Sequence, residues 1–154
     1  MYDTVVSFED VMCGLSVKGL ENAVNNLIDG KCVHVGVPVG SFDSEGVSNE
    51  QKAIAVEKGY IYGVLPFGVP RPFMKMTVDQ VMNDIDIITS IWINQGARQA
   101  GKMIVEIMKD TMTFGEFAPL SEYTIDSRRM RGNLSKQPTV DTGDLRDSIT
   151  YEVE

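Results

Sequence analysis

The chain is poor in the residues that would narrow its chemistry. Two cysteines, one histidine and one tryptophan occur among 154 residues. Cys13 and Cys32 form no CxxC, and the only imidazole nearby is His34, two positions beyond Cys32. A tetrahedral zinc site needs more ligands than that, so no metal is expected and the cysteines read as reduced, largely buried thiols of a cytoplasmic compartment. Long apolar runs are also missing. The longest, from Ile85 to Ile93, is interrupted by Asp86, Thr89 and Ser90, well short of the roughly 20 residues that span a bilayer. Met1 is not followed by a basic segment and an apolar one, so no secretory signal is expected. Positive charge is scarce: 14 Lys and Arg face 22 Asp and Glu, a net charge of -8. Sequence-specific nucleic-acid binding, which draws on clustered cations and counterion release, is not expected.

Catalytic signatures are missing as well. GxSxG, the P-loop, HExxH and GxGxxG do not occur, so no chemistry and no cofactor are encoded in those forms. Asp141-Thr142-Gly143 is the triplet of aspartic peptidases, whose mechanism shares a proton between two such aspartates. Only eleven residues follow Gly143, and the polar Leu145-Arg146-Asp147-Ser148 stands where a strand would be needed. The expectation is a protein without enzymatic activity.

Hydrophobic residues make up 43% of the chain and charged ones 23%, the balance of an ordinary globular domain. Residues 1–154 read as one. Its core-builder is Thr77 to Phe114. Val78, Val81, Met82, Ile85, Ile88, Ile91 and Trp92, then Met103, Ile104, Ile107 and Met108, recur at the spacing of an amphipathic helix. Thr77 with Gln80 has capping-box spacing and predicts the helix start. Asn94, Gly96, Ala97, Ala100 and Gly101 permit a break or a close crossing. The expectation is a long helical pair, or one kinked helix.

Around it the chain predicts a strand near Val11 to Val17, a helix from Leu20 to a cap at Gly30, and a strand from Lys31 to Val37 that Pro38 ends. In that last strand His34 falls opposite Val33, Val35 and Val37. An exposed loop over 38–49 follows, then a short helix begun by Ser48 with Gln51 and ended by Gly59. Tyr60 to Phe67 reads as extended. In the proline-braced segment 66–76, Pro70 and Pro72 push Val69 and Arg71 into extended geometry, with Phe73 as an apolar anchor. Arg71 is thereby presented for an interface, or for clamping a carboxylate internally. The loop over 126–138 gathers Arg128, Arg129, Arg131 and Lys136, a solvated loop or a patch for an acidic neighbour. Asp141 or Thr142 caps a short helix, and Ile149, Tyr151 and Val153 alternate in a final strand that pairs antiparallel with Lys31 to Val37. The fold class expected is α+β, a small antiparallel sheet packed on the long helical pair, with extended loops or arms.

Three segments in this order resemble one family: Val33-His34-Val35-Gly36-Val37 with its Gly/Ser loop; Val69-Pro70-Arg71-Pro72-Phe73-Met74 leading into the helices; and Pro119-Leu120, Thr124-Ile125, Val140 to Leu145 and Ser148 to Tyr151. Together they resemble the neck and tail-completion proteins of long-tailed bacteriophages. The chain departs from that pattern at Glu57-Lys58-Gly59-Tyr60 and at the apolar Ile61 to Phe67. The resemblance implies a structural virion protein, a homo-oligomeric ring at the head–tail junction, assembled from the host cytoplasm. It implies contacts with connector and tail proteins, and genome DNA passing through without specific binding. No membrane or cofactor is implied. Arg71, Pro72, Phe73, Asp141, Thr142, Gly143 and Leu145 carry over as structural or interface residues, and Arg128, Arg129 and Arg131 join them as a candidate patch. Other readings are a cytoplasmic protein-binding adaptor or regulator, or another tail component such as a tail terminator.

Overall fold

The computed structural model describes residues 32–59 and 69–154. The expected strand near Val11 to Val17, the helix from Leu20, the extended Tyr60 to Phe67 and Cys13 lie outside them. Among the described residues the fold is α+β, with six helices and one two-stranded antiparallel sheet. The described residues divide into two compact units, one holding 32–36, 78–107 and 150–154, the other 37–59, 69–77 and 108–149.

In the first unit, β1 (Val33–Gly36) pairs with β2 (Thr150–Val153) in the register Val33 to Val153, His34 to Glu152, Val35 to Tyr151 and Gly36 to Thr150. Strict alternation sets this register, because a slip of one residue would turn every valine to the wrong face. Val33 and Val35 are buried, and His34 is half-buried with Nε2 3.4 Å from Glu154 Oε2. Reciprocal bonds between Cys32 and Glu154, 2.8 and 3.0 Å, extend the ladder. Cys32 is free and exposed rather than buried, since it sits at the ladder's end, one residue before the first core-facing valine.

The Thr77 to Phe114 stretch divides twice. It forms α2 (Phe73–Asn83), α3 (Ile85–Gln95) and α4 (Ala97–Phe114), following α1 (Asn49–Lys58). Gly96, at φ 87°, makes the expected break, and Asp84 makes another that the apolar periodicity passes over. Val81, Ile88, Trp92, Ile104 and Met108 are buried, as the stripe requires, whereas Met82 is half-exposed. Gly101 on α4 lies under the sheet so closely that a Cβ there would stand 2.6 Å from the Tyr151 ring and 3.0 Å from Val33.

The start of α2 corrects the capping-box reading. Thr77 sits inside the helix, fully buried, donating its hydroxyl to the Phe73 carbonyl at 2.7 Å. The true start is four residues earlier. Pro72 supplies a fixed φ immediately before Phe73, and the Glu57 carboxylate accepts the amides of Met74 and Lys75 at 2.9 and 3.3 Å. A carboxylate there also meets the positive end of the helix dipole. By contrast, Ser48 caps α1 as its spacing predicts, accepting from the Gln51 amide, and Gly59 closes it at φ 73°.

Candidate functional site

In the second unit, the segment read as a basic loop begins as a helix, α5 (Glu122–Met130), capped by Ser121 accepting from the Thr124 amide. Arg128 and Arg129 occupy its last turn, where cations meet the negative end of the dipole. Their side chains then part. Arg129 turns outward to Asp126 at 2.9 Å. Arg128 turns inward and is only 5% exposed.

Arg128 is the centre around which residues 131–141 fold. Its Nη1 donates to the carbonyls of Ser135, Gln137 and Val140 at 3.3, 2.8 and 3.1 Å, and Nε stands 3.2 Å from Asp141 Oδ1. Arg131 reaches the other oxygen of Asp141 at 3.1 Å, and Asn133 donates to both the carbonyl and the carboxylate of Asp141. Further along, the Gln137 amide and Thr139 hydroxyl both donate to the Met112 carbonyl, one of the acceptors that a helix end leaves without an internal partner. Burial pulls the Arg128 guanidinium below its ordinary pKa, with Asp141 opposing and Arg131 adding to the effect. It stays charged at any physiological pH. A planar fork with five donors is suited to collecting several carbonyls at once, which an ammonium does less well.

Arg71 is a second inward clamp. Its Nε donates to the Ala118 carbonyl at 3.0 Å, Nη2 to Pro119 at 3.2 Å and Nη1 to Val69 at 3.4 Å. The expected clamp on a carboxylate is thus a clamp on backbone oxygens. Burial lowers its pKa, and the Arg128 charge adds to this. Phe73 is fully buried.

The Asp141-Thr142-Gly143 stretch is equally engaged. Thr142 donates to Asp144 Oδ2 at 2.9 Å, Ser44 reaches the same oxygen at 3.2 Å, and Gly143, at φ 97°, precedes α6 (Asp144–Asp147). Neither Asp141 nor Thr142 is the cap of α6, which is Gly143: Arg128, Arg131 and Asn133 hold Asp141, and Thr142 takes only the Asp144 amide at 3.4 Å. Leu145 is buried. Beside these residues lies a cavity of about 200 Å³. Ala55, Val56, Val140 and Leu145 supply apolar lining, and Lys52, Arg128 and Arg146 stand against the single carboxylate of Asp141. No family model, curated protein or solved structure matches the chain.

The remaining polar centre is Asp43, which sequence reasoning passed over. Its Oδ1 accepts the amides of Glu45 and Val47 at 2.9 and 2.7 Å, and Oδ2 pairs with Lys52. The hydrogen bond from Lys52, then the Val47 amide, hold its carboxyl below the ordinary value. The signal available was the Asp-Ser-Glu-Gly string, since Asp readily accepts from amides two residues on. Asn133, which takes the Ser135 amide at 2.8 Å, belongs to the same class. Among the described residues no group of three or more His, Cys, Asp and Glu is placed to hold a metal. No helix among them is long and apolar enough to cross a membrane.

Proposed function

We propose that the chain is a structural component of a bacteriophage neck, one copy of a ring that completes the tail and joins it to the connector. The observation that carries this reading is the use to which the motif residues are put. Arg71 ties down a distant loop, Phe73 is buried at the start of α2, and Asp141 and Leu145 brace the approach to α6. Every one of them is spent on architecture, as a scaffold subunit requires. Phe114, Tyr123, Met130 and Leu134 are at the same time 78 to 89% exposed, and exposed aromatic and Met side chains are the raw material of protein interfaces. A net charge of -8 suits a conduit that DNA traverses without adhering. The competing peptidase reading is opposed by Asp141, whose two carboxylate oxygens are already engaged by Arg128, Arg131 and Asn133 of the same chain.

The test is the mass of the purified protein at micromolar concentration, alone and after mixing with virion or tail fractions. A large closed oligomer, or a monomer that becomes stoichiometric on tails, is the expected result. A stable monomer or dimer absent from particles would overturn the reading in favour of a protein-binding adaptor.

A further inference from the structure

We propose that the cavity of the second unit, bounded by α1, α6 and the 138–143 segment, binds a small uncharged molecule that joins an apolar body to one hydrogen-bond acceptor, with the Arg128 guanidinium as the donor. Its walls, its charges and one unused donor each fix part of that description.

The walls set the size and the body. A volume of about 200 Å³ exceeds the ~150 Å³ of an apolar cavity that accepts a benzene molecule. Ala55, Val56, Pro138, Val140 and Leu145 supply apolar lining, so a single ring with a small substituent fits. The threonine hydroxyls of the lining donate elsewhere, Thr139 to the Met112 carbonyl and Thr142 to Asp144.

The charges set the sign. Each charged side chain of the lining already has a partner in its own copy: Lys52 pairs with Asp43, Arg146 with Asp147 at 2.8 Å, and Arg128 with Asp141 at 3.2 Å. An ionised ligand would have to break one of these pairs or lie beside a satisfied one, and a buried charge without a partner is costly. A neutral molecule meets neither obstacle.

The unused donor sets the polar group. Arg128 is part of the cavity wall and only 5% exposed. Its three carbonyl acceptors, on Ser135, Gln137 and Val140, all fall on Nη1. Nε is buried and has no hydrogen-bond partner among the described residues. Asp141 Oδ1 balances its charge from 3.2 Å, but the hydrogen bond to that oxygen comes from Asn133 at 2.6 Å. Buried donors are nearly always paired, and a lone polar group in an apolar wall is what orients a ligand. A carbonyl or phenolic oxygen complements it. Every residue of the site belongs to one copy, so binding is independent of any ring.

Titration with benzamide, followed by proton–nitrogen correlation NMR, tests this. Benzamide should bind saturably, shifting the amides of Ala55, Val140 and Leu145 and moving the Arg128 Nε–H resonance, which is assigned by its loss in Arg128→Lys. Toluene, which has the ring without the acceptor, should bind about tenfold more weakly and leave that resonance in place. Benzoate and benzamidinium should both bind more weakly than benzamide. Ala55→Trp and Val140→Phe, with folding confirmed by circular dichroism, should each abolish benzamide binding by filling the cavity. Absence of a saturable shift, equal affinity for toluene, tighter binding of benzoate, or full binding to a folded cavity-filled variant would overturn the proposal. Shifts centred away from residues 52–56 and 138–146 would overturn it without recourse to the variants.

Discussion

Two loops of the second unit are built on opposite principles. The 41–48 hairpin is wound around an anion, Asp43, which collects amides; the 131–141 segment is wound around a cation, Arg128, which collects carbonyls. Each solves the same problem, giving irregular backbone its hydrogen bonds without a sheet or helix. The difference lies in titration rather than burial. Both side chains are nearly enclosed, 6% exposed for Arg128 and 2% for Asp43, but Arg128 cannot lose its charge, whereas Asp43 can be neutralised by acid.

Removing the cation should break the comparison hardest. Arg128→Met leaves three carbonyls short of a donor and the Asp141 carboxylate without one of its two ion-pair partners, a loss of roughly 2–4 kcal/mol given what charged hydrogen bonds and broken ion pairs contribute. Chemical denaturation should read this as a lower midpoint. Arg128→Lys should recover only part of it, because a single ammonium cannot span the same set of oxygens. Asp43→Asn should act in the same direction but more weakly, lowering the melting temperature and speeding amide exchange at Glu45 and Val47 while leaving residues 131–141 protected.

The smallest effect is the most selective. Because the folded pKa of Asp43 lies below its unfolded value, the hairpin's contribution is complete above about pH 4 and is lost as pH falls through the folded value. Asp147, held low first by its hydrogen bond to Arg146, follows the same sign. Amide shifts of Glu45 and Val47 followed by NMR below about pH 4 should therefore move before those of Ser135 and Val140. Simultaneous loss in both loops would mean that they are not independent.

These two loops also mark how far the sequence could be read. The strands and α1 were legible because their signals are local: valines alternating with polar residues, and Ser48, Gln51 and Gly59 at the right spacing. The start of α2 was not, because Glu57 caps it from 17 residues away, and a spurious Thr77-Gln80 pair lay closer. The helix α5 carries so many polar residues that only Ser121, Glu122 and the terminal arginines announce it, and the sequence reading places those arginines in a loop or patch over 126–138. The sequence singles out Arg71 for an interface or a carboxylate clamp and Arg128 for a patch or a solvated loop, whereas both side chains hold backbone carbonyls. Their inward direction escaped, since a guanidinium's backbone acceptors, such as Ala118 for Arg71, leave no pattern in composition or period.

The Glu57 cap has a further consequence. Together with the Arg71 amide, which donates to the Val56 carbonyl at 2.9 Å, it staples the end of α1 to the beginning of α2. Each helix thereby satisfies backbone groups that the end of the other leaves open, so fraying at either end exposes both.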